Sequence, residues 1–127
     1  MKTKNSRVLV IDDDQPVREM ITRMFNSQGL QCIQAESGKQ GIDLAFMANP
    51  ALILSDINMP NMDGFAVHDY LQRDPETVNI PFIFMTGFAD RFQTASQLKR
   101  GVTVLPKPFD IEMLMTSVLA HLGPLQP

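Results

Sequence analysis

The sequence predicts an α/β fold in which a parallel five-stranded sheet is covered by helices on both faces. Short apolar runs alternate along the chain with longer segments whose apolar residues recur every three or four positions. Strict alternation of strands and helices implies right-handed crossovers and parallel strands that are buried on both faces. The 127 residues suffice for one such domain and not for two. We therefore predict a single doubly wound α/β domain over residues 1–127, with a core of about 7–122 and short flexible ends.

The predicted strands are apolar runs that end at turn residues. They cover residues 8–11, 31–35, 51–55, 80–85 and 102–105. The second run is the least apolar, so we expect it at an edge of the sheet. Pro81 must lie at the start of the fourth strand, because proline cannot donate a hydrogen bond to a neighbouring strand.

The predicted helices carry apolar residues on one face. In the first, which has Pro16 in its first turn, this stripe consists of Val17, Met20, Ile21, Met24 and Phe25. Ser37 and Gln40 match a capping box that opens the second helix, and Asp110 is the expected N-cap of the last. The fourth helix, roughly residues 90–100, has the weakest stripe.

Composition excludes several classes of protein. With a net charge of -3, and with Lys99 and Arg100 at an expected helix end as the only basic cluster, the chain has no electrostatic basis for direct binding of nucleic acid. Cys32 is the single cysteine, so no internal disulfide can form. No apolar run approaches the length needed to insert into a membrane, and the N-terminus lacks the apolar segment of a signal peptide. We expect a soluble cytoplasmic protein.

Polar side chains follow four of the predicted strands. Asp12 and Asp13 come after the first strand, Asp56 after the third, Thr86 after the fourth and Lys107 after the fifth. Parallel strands all end at the same edge of a sheet, and open α/β sheets bind their ligands there. The topology is therefore expected to bring these distant residues into one site.

The chemistry of this set indicates phosphoryl transfer onto Asp56. Clustered carboxylates repel one another, which raises their pKa values or requires a cation. Oxygen ligands without histidine or cysteine suit Mg²⁺, which is the expected cofactor. A metal ion and the Lys107 ammonium would offset the charge of an incoming phosphoryl group, and a carboxylate can act as the nucleophile.

Four segments of the chain resemble the receiver domain of two-component response regulators. They are VLVIDDD at residues 8–14, LSDINMPNMDG at 54–64, FMTG at 84–87 and LPKPF at 105–109. The resemblance extends from about residue 7 to residue 122. It implies that Asp56 is the phospho-acceptor, that Asp13 is a direct Mg²⁺ ligand aided by Asp12, and that the backbone carbonyl of Asn58 completes the protein's share of the coordination.

The same resemblance implies the roles of the remaining site residues and the partners. Lys107 would contact the phosphoryl oxygens, and the Thr86 hydroxyl would move toward them after transfer. A flavodoxin-like strand order 2-1-3-4-5 and a cis bond between Lys107 and Pro108 are also expected. The donor would be a histidine kinase or phosphotransfer protein. The chain would be a signalling domain rather than an enzyme, although it would assist its own phosphorylation and dephosphorylation.

Output is expected through the face formed by the fourth helix, the fifth strand and the last helix. A downstream protein or output domain would bind there, and a phosphorylation-linked dimer is a further expectation. Exposed candidates on this face are Arg91, Gln97, Lys99 and Glu112.

The chain departs from the family pattern at two places. Val104 stands where many receivers have an aromatic residue, and residues 101–107 are one residue shorter than usual, so the usual coupling of threonine to an aromatic side chain is in doubt. Phe88, two positions after Thr86, is expected at the mouth of the site, where it would slow hydrolysis of the phosphorylated aspartate.

Two other functions are alternatives. A phosphohydrolase similar to the haloacid dehalogenase family would use Asp12 as nucleophile and Asp14 as acid/base, but the helix that follows leaves no room for the cap of such enzymes. A receiver-like binding module that works without phosphorylation is the second alternative. An EF-hand is excluded, because aligning Gly64 with the loop glycine places Met59 at the first ligand position.

Overall fold

The computed structural model of the chain describes residues 7–87 and 102–123. The strands in these ranges are β1 (Arg7–Ile11), β2 (Gln31–Ala35), β3 (Leu52–Asp56), β4 (Phe82–Thr86) and β5 (Thr103–Pro106). The helices there are α1 (Gln15–Ser27), α2 (Gly38–Ala48), α3 (Gly64–Gln72) and the C-terminal helix, α4 (Ile111–Leu122). The helix predicted at residues 90–100 lies outside the described residues.

The five strands form one parallel sheet in the order β2-β1-β3-β4-β5. This confirms the predicted fold class and the position of β2 at an edge. The chain moves outward from β1 to β2 and then crosses back to β3, so the strand order reverses between β1 and β3. A crevice at the carboxyl ends of two such strands is the usual ligand site of an open α/β sheet.

The core lies on both faces of the sheet, because successive strand residues point to opposite sides. Leu52 and Leu54 of β3 belong to the cluster under α1 and α4, while Ile53 belongs to the cluster under α2 and α3. All five residues of β3 are buried, as expected for a central parallel strand. The sheet is thus a rigid support for the groups at its carboxyl edge.

A side-chain cap precedes each helix of the described ranges. The capping residues are Asp14, Ser37, Asp63 and Asp110, each of which accepts a backbone N–H from the first turn. The caps of α2 and α4 confirm the sequence prediction. Within residues 7–87 and 102–123, every helix is too short or too polar to cross a membrane.

The buried face of α1 differs from the predicted one. Met20 was expected in the apolar stripe but is 38% exposed, whereas Arg18 is only 9% exposed. Arg18, Ile21 and Phe25 are the buried residues of this helix. Their spacing of three and four is that of one helix face, so the prediction failed because it excluded a charged residue from that face.

Candidate functional site

Three carboxylates meet at the carboxyl edge of the sheet, between β1 and β3. Ile11 pairs with Ser55 in the sheet, so the next residues, Asp12 and Asp56, lie side by side. Together with Asp13, they offer oxygen atoms that all lie within 4.8 Å of one another. Asp12 is completely buried and Asp56 is 8% exposed, while Asp13 is open to solvent. The predicted convergence of these acids is observed.

Lys107, which directly follows β5, joins this cluster at the same edge of the sheet. Its ammonium nitrogen lies 2.9 Å from Oδ2 of Asp12 and 3.4 Å from Oδ2 of Asp56. The backbone N–H of Lys107 donates to the Thr86 carbonyl at 2.8 Å, which continues the pairing of β4 with β5 by one residue. The bond between Lys107 and Pro108 is cis, as the resemblance implied.

Asp12 is held by hydrogen bonds at both ends. Its backbone N–H donates to the Ala35 carbonyl of β2 at 3.1 Å, and its Oδ1 accepts the N–H of Asp14 at 2.9 Å. Its Oδ2 accepts the hydrogen bond from Lys107. Both carboxylate oxygens of Asp12 are therefore engaged, so this acid is built into the site as a fixed charge.

Thr86 and Asn58 lie at the same edge but without a bond to the carboxylates. Thr86 ends β4 and is almost completely buried, and its hydroxyl donates to the Gly87 carbonyl at 3.3 Å. Because side chains alternate along a strand, Thr86 lies on the same face of the sheet as Phe84, and Met85 lies on the opposite face. Asn58 is exposed in the loop after β3.

Burial is the main influence on the ionisation of Asp56. It raises the pKa of this carboxyl from 3.8 to about 6; the Lys107 ammonium opposes the rise, and the charges of Asp12 and Asp13 add to it. For Lys107, burial alone would lower the pKa, but the hydrogen bond to Asp12 and the nearby carboxylates outweigh burial and raise it. The ammonium therefore stays charged beside a carboxyl that loses its proton around pH 6.

The three carboxylates form a group that could hold a metal ion. They supply hard oxygen ligands, and neither histidine nor cysteine belongs to the group. Such a set suits Mg²⁺ or another hard divalent cation better than a transition metal. Exposed Asp13 leaves the group accessible from solvent.

Two residues near the site were not predicted from the sequence. Gly64, at the start of α3, lies so close to β3 that a Cβ there would clash with the Asp56 carbonyl oxygen. Its N–H also donates to the Ile57 carbonyl at 2.8 Å, which closes the loop after β3. Arg18 donates from Nη1 to the Asp12 carbonyl at 2.8 Å. Its spacing from Ile21 and Phe25 was the sequence signal that could have found it.

The profile of the response regulator receiver domain matches residues 8–119. The chain belongs to this family. It is the receiver domain of a two-component signalling system, and receiver domains are signalling domains. The match covers both acidic strand ends, Thr86 and Lys107.

Individual relatives agree with this assignment. The chain is 30% identical over 118 residues to the sporulation initiation phosphotransferase F of Bacillus subtilis, covering 93% of this receiver and 94% of that protein. It is 33% identical over 119 residues to protein PilH of Pseudomonas aeruginosa, covering 93% and 98%. It spans only 22% of the transcriptional regulator NtrC of Klebsiella pneumoniae, to which it is 38% identical over 105 residues, or 81% of this receiver.

A solved structure shows the same architecture. The receiver domain of a signal transduction histidine kinase from Syntrophus aciditrophicus superposes with a TM-score of 0.84 at 26% identity. The superposition covers 93% of this chain and 90% of that one.

Proposed function

We propose that this receiver accepts a phosphoryl group on Asp56 from a histidine kinase or phosphotransfer protein, in a reaction that needs Mg²⁺. The observation that carries the proposal is the surroundings of Asp56 at the strand-order reversal. An ammonium lies 3.4 Å from its Oδ2, and two further carboxylates have oxygens within 4.8 Å.

Asp56 fits the role of nucleophile better than the other acids do. With a pKa of about 6, it is mostly ionised at neutral pH while remaining only lightly solvated. One of its carboxylate oxygens would attack phosphorus as the bond between phosphorus and the donor's imidazole nitrogen breaks; the electron pair of that bond would stay on the nitrogen, which would take up a proton from solvent. Asp12, in contrast, has both oxygens committed to hydrogen bonds.

Asp12, Asp13 and Asp56, together with the Asn58 carbonyl, would hold Mg²⁺. When bound, the ion would offset the negative charge that accumulates as a phosphoryl group approaches three carboxylates. Asp13 is the exposed member and would be its direct ligand. Asp12, whose buried carboxylate is held in place by hydrogen bonds, would aid binding of the ion through its negative charge.

Lys107 and Thr86 would convert the modification into a change of shape. The Lys107 ammonium has three donors, and one of them is used by Asp12, so others can reach phosphoryl oxygens on Asp56. Within residues 7–87 and 102–123, the Thr86 hydroxyl donates only to the carbonyl of its neighbour Gly87, at 3.3 Å, a bond that it could exchange for one to a phosphoryl oxygen. These new bonds would shift a two-state equilibrium of the receiver.

The output would follow through β5, the C-terminal helix and the segment between β4 and β5. Of the surface candidates, Glu112 is exposed in the first turn of α4, whereas Arg91, Gln97 and Lys99 lie outside the described residues, as does Phe88. Val104 on β5 is half-buried and packs against the cluster that includes Phe84. A downstream protein or output domain, and a phosphorylation-linked dimer, are the proposed partners of this surface in the cytoplasm.

The phosphohydrolase alternative is disfavoured by the environment of its required residues. Asp12, its nucleophile, is fully buried with both oxygens bonded, and Asp14, its acid/base, caps α1 through the N–H of Val17. Sustained hydrolysis of p-nitrophenyl phosphate that is lost in Asp12→Asn would support the phosphatase. Its absence, together with a stable phosphorylated form, supports the receiver.

The decisive experiment is intact mass spectrometry after incubation with acetyl phosphate and Mg²⁺. The parent chain should gain one phosphoryl group and Asp56→Asn should gain none. Asp43→Asn, which removes an exposed acid from α2, is the matched control and should be modified like the parent. Modification of Asp56→Asn at the parent rate would refute Asp56 as acceptor. A parent chain that gains no phosphoryl group from acetyl phosphate, and none from a phosphorylated histidine kinase, would favour the phosphorylation-independent binding module.

A further inference from the structure

Arg18 is a buried cation that is hydrogen-bonded to the backbone of Asp12, one of the three clustered acids. It lies on α1 and is 9% exposed, although arginine is rarely buried without an acidic partner. Among residues 7–87 and 102–123, its guanidinium forms no ion pair. It donates instead to two uncharged acceptors, the Asp12 backbone carbonyl from Nη1 at 2.8 Å and Oε1 of Gln34 from Nε at 3.2 Å.

These two bonds tie α1 to the ends of β1 and β2. Gln34 lies on β2, next to Ala35, whose carbonyl accepts the N–H of Asp12. The backbone of Asp12 is therefore fixed through its N–H by β2 and through its carbonyl by Arg18. With the main chain held in this way, the carboxylate is directed toward Asp14 and Lys107.

The guanidinium also places positive charge beside the backbone of Asp12 without a hydrogen bond to the carboxylate of Asp12, Asp13 or Asp56. Because its hydrogen bonds go to a carbonyl and an amide, it occupies none of the carboxylate oxygens that a cation would need. Lys107, in contrast, bonds directly to one of those oxygens. The two cations thus act on Asp12 from different sides and in different ways.

We propose that Arg18 is a positioning residue that sets the affinity of the acidic site for a divalent cation by fixing Asp12. This inference rests on the metal site of the proposed function. Groups that orient metal ligands from outside the coordination sphere affect metal affinity strongly when they are removed. Loss of positive charge alone would tighten cation binding, so weaker binding on removal of Arg18 would report the loss of positioning.

The test compares Arg18→Met, Arg18→Lys and Gln34→Ala with the parent chain. Arg23→Met is the matched control, because it removes an exposed arginine from the same helix. Calorimetric titration with MgCl₂ gives the affinity, and hydrogen exchange of the Asp12 and Asp14 amides without metal reports how firmly the loop is held. Arg18→Met should weaken Mg²⁺ binding about tenfold and accelerate exchange of both amides, with little change at Val10. Arg18→Lys and Gln34→Ala should lie between it and the parent, and Arg23→Met should match the parent.

Each result decides a separate point. Unchanged or tighter Mg²⁺ binding in Arg18→Met overturns the inference, even if the variant is less stable, because that is the pattern of a merely structural residue. If Arg18→Met does not fold, parent-like affinity in both Arg18→Lys and Gln34→Ala overturns it equally. A parent chain that binds no Mg²⁺ refutes the proposed metal site itself. The exchange rates of the metal-free variants would still show whether Arg18 fixes Asp12.

Discussion

Replacing Asp56 with asparagine should stabilise the native state at neutral pH. The pKa of this carboxyl is about 6 in the folded chain, compared with its ordinary 3.8, chiefly because burial removes water from the ionised form. Between these two values the native state binds the proton more tightly than the unfolded chain does. Stability therefore falls as the pH rises through this range, and the native state carries a cost once Asp56 is ionised.

The size of this cost follows from the two pKa values. At about 1.4 kcal/mol per pH unit, the gap between 3.8 and about 6 corresponds to roughly 3 kcal/mol at neutral pH. The asparagine side chain has nearly the same shape as that of aspartate and carries no charge, and its amide oxygen can still accept from Lys107. We expect Asp56→Asn to gain about 2–3 kcal/mol at neutral pH and almost nothing below about pH 3, where both the native and the unfolded states of the parent are protonated.

Urea denaturation in chelator-containing buffer, repeated from acid to neutral pH, measures this difference. Asp43→Asn is the control, because this exposed acid on α2 should show no comparable gain at any pH. The reasoning would be refuted by equal stability of the parent and Asp56→Asn at neutral pH. A gain that grew toward acid pH would contradict it as well, since the sign would then be reversed.

Three further outcomes are expected. Lys107→Met should destabilise the chain by roughly 3 kcal/mol at neutral pH in the same denaturation assay, because it leaves Asp12 and Asp56 without their ammonium partner. Gly64→Ala should lower the free energy of unfolding by about 1–3 kcal/mol, because the added Cβ would clash with the Asp56 carbonyl oxygen, and this cost exceeds the helix preference of alanine. Thermal unfolding measures the loss, and an unchanged midpoint would contradict the clash. Mg²⁺ at ten times its dissociation constant should stabilise the parent by about 1.4 kcal/mol and Asp56→Asn by less, as measured by the urea midpoint.

The fold and the main site could be predicted because both follow from periodicity. Apolar runs that end abruptly in acids mark strand termini, and a parallel sheet gathers all such termini at one edge. That argument brings Asp12, Asp56 and Lys107 together without any knowledge of distances. The ends of strands were less accurate: β4 begins at Phe82 rather than residue 80, since the residues before it form turns that prolong the connection from α3.

The finer organisation of the site could not be predicted, because it depends on side-chain contacts between distant elements. A charged residue on a helix is normally solvated, so the sequence predicted Met20, and not Arg18, on the buried face of α1. Its burial is satisfied by a backbone carbonyl at the end of β1, and no local pattern encodes that bond. Likewise, the need for glycine at position 64 arises from the close approach of α3 to β3.

Asp12 and Asp56 are neighbours, but their carboxylates differ in how many hydrogen bonds they accept and in how close they lie to Lys107. Lys107 lies closer to Asp12, at 2.9 Å, than to Asp56, at 3.4 Å, and Asp12 also accepts the N–H of Asp14. Asp12 is thus the better satisfied of the two, while Asp56 is left poorly solvated, with a pKa of about 6. A divalent cation would relieve the repulsion among the carboxylates and favour the ionised form of Asp56. Binding of a cation, ionisation of Asp56 and stability of the fold are therefore expected to be thermodynamically linked through this one side chain.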